Sequence, residues 1–202
     1  MPRIDDFVRP KEWVAEFVSD LGRVIRTWGD ERYMPIRQQL DDDWREHALV
    51  KPLLKEVLVD FGVNGAFFPA EVGGLDMPEP MTIANVLAEE LGRIDSGFAV
   101  ACLASMWGMM PIALPPHRNM ELCLEFGPKF CGDELYVGCH AMTEPAGGAD
   151  IENIGRIRGS TIQTTATLDG HEWVVNGHKL WASNSGHMAD LYVVVCTTKK
   201  GS

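Results

Sequence analysis

AMTEPAGGAD, residues 141–150, breaks an apolar run with a hydroxyl, a carboxylate, a proline, two adjacent glycines and an aspartate. Upstream of it the chain is patterned for helices, and downstream it is patterned for strands. A second stretch, NGHKLWASNSG at 176–186, again sets a glycine turn beside an aromatic ring and hydroxyls. The fold class and the candidate site both turn on these two stretches.

Working back from 141, the apolar residues Val14, Phe17, Val18, Leu21, Val24, Ile25 and Trp28 recur every three or four positions. This spacing predicts an amphipathic helix over 11–28. Leu49, Leu53, Leu54, Val57, Leu58 and Phe61 predict another over 46–61, with a helix start or kink at Pro52, which lacks a backbone donor. The stretch FFPAEVGGLDMPEP, residues 67–80, holds three prolines and two adjacent glycines and reads as a loop, with Thr82 as the cap of the next helix. That helix is expected over 83–93, and after IDSG another over 98–110 that is apolar on all sides, as a helix in the middle of a bundle is. A short helix over 120–126 is expected to end at Gly127-Pro128.

Forward from Tyr136 the period shifts toward two, through YVGCHAM, TIQTTATL, EWVVNGHKLWAS and DLYVVVCTT. Asp169-Gly170 and Asn176-Gly177 are turn dipeptides, and the second is flanked by strand-like runs as a two-residue hairpin loop is. Helices first and strands second imply an α+β chain, or two domains with the boundary near 128–134: a helical part over 1–132 and a strand part over 133–202. Four or five strands make an incomplete barrel, and the run LYVVV is expected to present an apolar edge that something outside the chain covers.

The bulk numbers narrow the function. The 202 residues carry 18 Lys plus Arg against 29 Asp plus Glu, a formal charge of −11 that argues against nucleic acid or an anionic membrane as the main partner. The five cysteines form no CxxC pair, which points to buried free thiols in a reducing compartment. Charges in MPRIDDFVRPKEW oppose a signal peptide, and no window of about 18 apolar residues is expected, so the chain reads as cytoplasmic without membrane insertion. The six histidines show no HxxxH or HExxH spacing, so no metal ligands are assigned.

In the first stretch, a proline and two glycines force a turn with unshielded backbone N–H groups, and Thr143 adds a hydroxyl. Such a turn can cradle a polar ligand edge or a phosphate; alternatively it is a simple strand-to-loop turn capped by Asp150. In the second, strand alternation would put Trp181 and Ser183 on one face. A flat aromatic beside a hydroxyl suits a planar heterocycle, and an ordinary core tryptophan is the other reading.

Taken together, TEPxxGxD from Thr143 to Asp150, NGxKxWxSN from Asn176, and ADLYVVV closely resemble the FAD-binding middle domain of the acyl-CoA dehydrogenase family. PAEVGGL, AEELGRID and GMMPI resemble the family's N-terminal helical domain, so the likeness covers nearly the whole chain. It implies FAD as cofactor, with Met142 and Thr143 along the isoalloxazine, Thr143 bonding its pyrimidine edge, Trp181 screening the flavin and Ser183 bonding near N5. His140 and Gly148 flank the same turn and join the cofactor-binding set, as does Ala149. Two departures stand out. The family usually has Thr at the place of Ser183, and usually Ser at the place of Ala149, so a hydroxyl that often contacts the CoA portion of the thioester is missing. Leu103 stands where some members carry an acidic residue near the floor of the acyl pocket; it would leave that pocket apolar, or it is a plain core leucine.

The resemblance implies oxidation of an acyl-CoA to a 2,3-enoyl-CoA, with electrons passed to an electron-transfer flavoprotein and assembly as a homo- or hetero-oligomer, a tetramer. It also implies that the rest of the β domain and a C-terminal four-helix bundle, with the catalytic carboxylate, lie outside this chain, so no catalytic residue is assigned here. Glu144, beside Pro145, suits a structural carboxylate bonding local backbone. Two alternatives remain: an acyl-CoA oxidase or flavin monooxygenase of the same fold, and a non-catalytic or split subunit that acts through a partner chain.

Overall fold

A computed structural model describes residues 14–148 and 162–198. The first helix, α1 (Glu16–Trp28), buries Val18, Gly22, Ile25 and Trp28, while Phe17 and Val24 face outward, so its buried stripe is narrower than the sequence suggests. The expected start at Lys11 lies outside the described residues. A π turn, Gly29–Tyr33, extends α1 and brings Tyr33 beside Trp28 and Phe98; Trp28 and Phe98 stack with ring centroids 5.8 Å apart.

After α2 (Arg37–Asp42), helix α3 (Val50–Lys55) starts two residues before Pro52. In the first turn of a helix no N–H has an intrahelical partner, so the proline removes nothing. A second π turn, Glu56–Asp60, buries Val57 and Leu58. The loop at 67–80 folds back on the chain before it: Leu75 N–H donates to Gly65 O (2.7 Å) and Asp76 N–H to Phe68 O (2.9 Å). Gly74 is required there, because an added Cβ would lie 2.0 Å from the Phe68 carbonyl oxygen.

Helix α4 (Pro80–Ile94) begins earlier than expected, and Thr82 is not its cap. Proline at the first helical position has its φ already set for the helix, which moves the start ahead of the threonine. The α1 and α4 helices are tied by Arg26, which donates to both oxygens of the nearly buried Glu90 (2.8 and 3.2 Å). Helix α5 (Ser96–Ala113) opens on Asp95, whose carboxylate accepts from Phe98 N–H (2.9 Å). By length and composition α5 could cross a membrane, with mean hydropathy 1.4 over 18 residues, which corrects the expectation that no such window exists. Its small residues dilute the apolar run but no charged one interrupts it. Met106, Met109 and Cys102 on it are buried inside the protein. Helix α6 (Met120–Phe130) is capped by Asn119 and runs through Pro128, past the expected end at Gly127-Pro128. The carbonyl that Pro128 leaves unpaired belongs to the exposed Leu124, so water can serve it.

The chain divides into two compact units. One holds the residues up to Leu103 together with Ala113–Leu135; the other holds Ala104–Ile112 together with the residues from Tyr136 onward. In the second, β1 (Gly138–Ala141) pairs in parallel with β4 (Leu191–Val194), in the register Gly138↔Leu191 to Ala141↔Val194. The LYVVV run is therefore paired along one side from within the chain. The 104–112 segment of α5 lies backbone to backbone on β1: a Cβ on Gly108 would be 3.0 Å from Gly138 Cα, and Ser105 Oγ accepts from Gly138 N–H (3.0 Å).

Strands β2 (Thr165–Asp169) and β3 (Glu172–Asn176) form an antiparallel hairpin around Gly170-His171, with Gly170 at φ +62°. A parallel bridge between Thr165 and Thr197 links this hairpin to the β4 side. The second hairpin expected at Asn176-Gly177 is absent among the described residues. Past Gly177 the chain does not return along β3 but turns to the first motif.

Candidate functional site

The two stretches singled out in the sequence lie side by side. Leu180 N–H donates to Thr143 O (2.9 Å), which sets the second stretch alongside the first. One residue earlier, Lys179 Nζ donates to Met142 O (2.9 Å) and to Glu144 Oε1 (2.7 Å). The Lys179 and Glu144 side chains are 12% and 1% exposed, so this is a buried ion pair.

Glu144 is saturated. Thr164 N–H donates to Oε1 (2.9 Å) and Gln163 N–H to Oε2 (2.5 Å), while its own N–H donates to Gly147 O (2.8 Å) to close the turn. Burial alone would push this carboxyl up, yet Lys179 and the two N–H donors outweigh it and hold the group down to about 2. The structural role expected for Glu144 is what is seen, but its partners are far in sequence rather than local. Both oxygens are engaged and the group is held ionised, so it is a clamp on the turn and not a proton shuttle.

The remaining site residues fall around this clamp. His140 is half-buried on β1 opposite Val193, and Met142, Thr143 and Gly148 are half-buried at and after its end. A Cβ on Gly148 would meet nothing within 4 Å. Trp181 follows Leu180 directly, with φ +52° and 86% exposure, and Ser183 is half-buried in the turn after it. Neither lies on a strand, so the shared-face reading of Trp181 and Ser183 is corrected. The alternation is lost because Leu180 pairs with Thr143 and the chain then turns through residues 183–188. The core-tryptophan reading of Trp181 falls with its exposure. Leu103 is half-buried on α5 and belongs to the helical unit. Ala149 and Asp150 lie outside the described residues.

Two residues escaped the sequence reading. Lys179 carries the clamp, and Asn184, at φ +67°, donates from Nδ2 to Gly138 O (3.2 Å) and ties the turn back to β1. The signal for Lys179 was a lysine between a glycine turn and Leu-Trp, with the Glu144 carboxylate in the facing motif. A charge in such a setting needs a partner. Among the described residues no cluster of His, Cys, Asp or Glu could hold a metal ion.

The donor set fits a flat, polar-edged heterocycle. It offers an exposed indole, threonine and serine hydroxyls that the strand pairing does not use, and a turn with open space at Gly148.

Comparison with known proteins identifies the family. Residues 19–115 match the acyl-CoA dehydrogenase N-terminal domain and residues 139–202 the acyl-CoA dehydrogenase middle domain. The chain is 28% identical over 175 residues to cyclohexane-1-carbonyl-CoA dehydrogenase of Syntrophus aciditrophicus, covering 87% of this chain and 41% of that one. It is 31% identical over 159 residues to nitroalkane oxidase of Fusarium oxysporum, covering 77% and 35%. The crystal structure of an acyl-CoA dehydrogenase from Bacillus anthracis complexed with FAD superposes with a TM-score of 0.75 at 26% identity, over 96% of this chain and 31% of that one. The chain thus spans well under half the length of the relatives it matches. It belongs to the acyl-CoA dehydrogenase family, and it carries that family's N-terminal helical domain and strands of its middle domain.

Proposed function

We propose that this chain is part of an FAD-dependent acyl-CoA dehydrogenase that converts an acyl-CoA thioester to its 2,3-enoyl-CoA and delivers the electrons to an electron-transfer flavoprotein. The observation that carries the reading is the pairing of Thr143 with Leu180, which sets two polar, turn-rich stretches side by side and leaves the Trp181 ring exposed next to them. Bound FAD would supply the acceptor for the hydride that leaves the acyl chain.

In this reading Thr143 donates its hydroxyl to the polar edge of the ring system, Met142 packs along it, and His140 and Gly148 shape the turn beneath it. Trp181 covers the ring and excludes water, and Ser183 bonds its central edge. Ala149 would offer the CoA portion no hydroxyl, and Leu103 would add no charge to an acyl pocket. The family resemblance assigns the proton at the carbon next to the thioester to a carboxylate outside this chain, and Glu144, which already accepts three hydrogen bonds, is given no such role. The five free thiols suit a reducing, cytoplasmic setting, and the exposed apolar residues of β2 and β3 suit assembly into a tetramer.

The test is the visible spectrum of the purified protein before and after anaerobic addition of a panel of acyl-CoA thioesters. A flavin band that bleaches with one thioester is the expected result; a protein that takes up no added FAD would overturn the reading in favour of a non-catalytic, partner-binding chain. The similarity to nitroalkane oxidase supports a second reading, with oxygen as acceptor. Oxygen consumption that matches substrate turnover would establish it.

A further inference from the structure

The geometry points to Lys179 as the positioning residue of the cofactor wall: clamped by Glu144, it fixes the main chain of Met142 and, through Leu180, of Thr143. This rests on the flavoprotein reading above and adds to it a residue that touches no ligand.

Three observations carry it. The ammonium of Lys179 is shared between a carboxylate and the carbonyl of Met142, so the ion pair is also a hydrogen bond to the backbone of a residue in the cofactor set. The next residue, Leu180, uses its N–H on Thr143 O, and the one after that is the exposed Trp181. One short segment, 179–181, therefore sets the two wall residues Met142 and Thr143 and presents the third, Trp181. Finally, Glu144 is anchored on the other side by the N–H groups of Gln163 and Thr164, just ahead of β2. The lysine is thereby held, through Glu144, from the segment that leads into β2. A buried pair used in this way sets geometry, and its desolvation offsets much of its attraction.

A purely structural role makes a different prediction, and the double variant separates the two. In Lys179→Met the donor to Met142 O is lost and Glu144 keeps its two N–H donors. In Glu144→Gln/Lys179→Met both buried charges are gone, so the fold is relieved of an unpaired charge while the donor to Met142 O is still missing. FAD affinity by fluorescence titration, the position and visible circular dichroism of the bound flavin band, and far-UV circular dichroism are read on the wild type, both variants and Lys179→Arg.

We expect the double variant to fold, to bind FAD about tenfold or more weakly, as loss of a charge-assisted hydrogen bond produces, and to shift the flavin band. Lys179→Arg should recover part of both. A double variant with wild-type affinity and band overturns the inference, because charge removal alone would then have cured the defect. A double variant that does not fold also overturns it, because the pair is then a requirement of the fold. If the wild type itself takes up no FAD, the flavoprotein reading fails first, before any variant is compared.

Discussion

Between Val18 and Phe130 the chain builds a core: Leu54, Leu58, Ile83, Leu87 and Leu91 and the loop residues Phe67 and Phe68 are buried, while Val24, Trp44, Trp107 and Leu124 face outward. Beyond residue 161 the pattern inverts, for among the described residues Ala166 is the only buried hydrophobic one, while Leu168, Trp173, Val174 and Val175 are exposed. The charges invert too. Arg23, Arg32 and Lys55 make their ion pairs at the surface of the helical unit and Arg26 reaches a buried Glu90 from a part-exposed position, whereas in the strand unit both Glu144 and Lys179 lie inside. A packed core can hold a helix in place without help. A thin sheet with its apolar residues outside needs a directional contact to fix a turn, and a buried pair with backbone partners supplies one.

The sharpest break of this contrast is Glu144→Ala, which leaves the Lys179 ammonium buried without its counter-charge. It should cost about 3–5 kcal/mol of stability in urea unfolding. Leu87→Ala tests the other side: a cavity in the helical core should cost about 2–5 kcal/mol and leave flavin uptake unchanged in the fraction that remains folded. If Glu144→Ala proves far milder than Leu87→Ala, the strand unit is not held by its polar clamp.

Acid sharpens the comparison further. The Glu144 carboxyl is held down to about 2 in the fold against an ordinary value of 4.5. Its contribution is therefore complete above about 4.5 and is lost as pH falls from there toward about 2. The wild type should lose stability across that window more steeply than Glu144→Gln, measured by urea midpoints at each pH. Equal slopes would place the acid sensitivity elsewhere.

Much of the helical unit was legible because periodicity and turn residues agree there. The helix α1 and the core of its buried stripe follow from apolar spacing, α4 and α5 were expected as helices, and the Gly73-Gly74 loop follows from its glycines. What was misread in it concerned ends: Pro80 opens α4 where Thr82 was expected to cap it, and Pro128 sits inside α6. A proline's effect depends on whether its missing donor falls in a first turn or beside solvent, and sequence alone does not say which. The strand unit was harder. Asp169-Gly170 makes its turn, but the similar Asn176-Gly177 does not, because the residues after it find Thr143 as a partner. Long-range pairing decided that, and local turn chemistry could not reveal it. Thr143 and Trp181 were readable as a pair of motifs, but Lys179, which joins them, carries its meaning only once Glu144 is seen facing it.

Smaller effects complete the series. Asn119→Ala removes the hydrogen bond to Leu122 N–H and should cost about 1 kcal/mol. Trp173→Thr, on the exposed β3, should change the stability of this chain by less than about 0.5 kcal/mol in the same assay. A large loss there would show that the outer face of the hairpin is already covered.

The parallel pairing of β1 with β4 has a consequence for how the chain is made. Val137 N–H donates to an Asp190 carboxylate 53 positions later, and Gly138 takes its register from Leu191. The β2–β3 hairpin can close as soon as it leaves the ribosome, and the helical unit, although α1 must reach α4 through Arg26 and Glu90, has all its residues by Leu135. β1 has no partner strand until translation has passed Val194, and the stretch that must be looped out in the meantime contains both site motifs. Helical segments can therefore be in place while the cofactor wall is still unformed, and its assembly waits on the slow closure of a long loop.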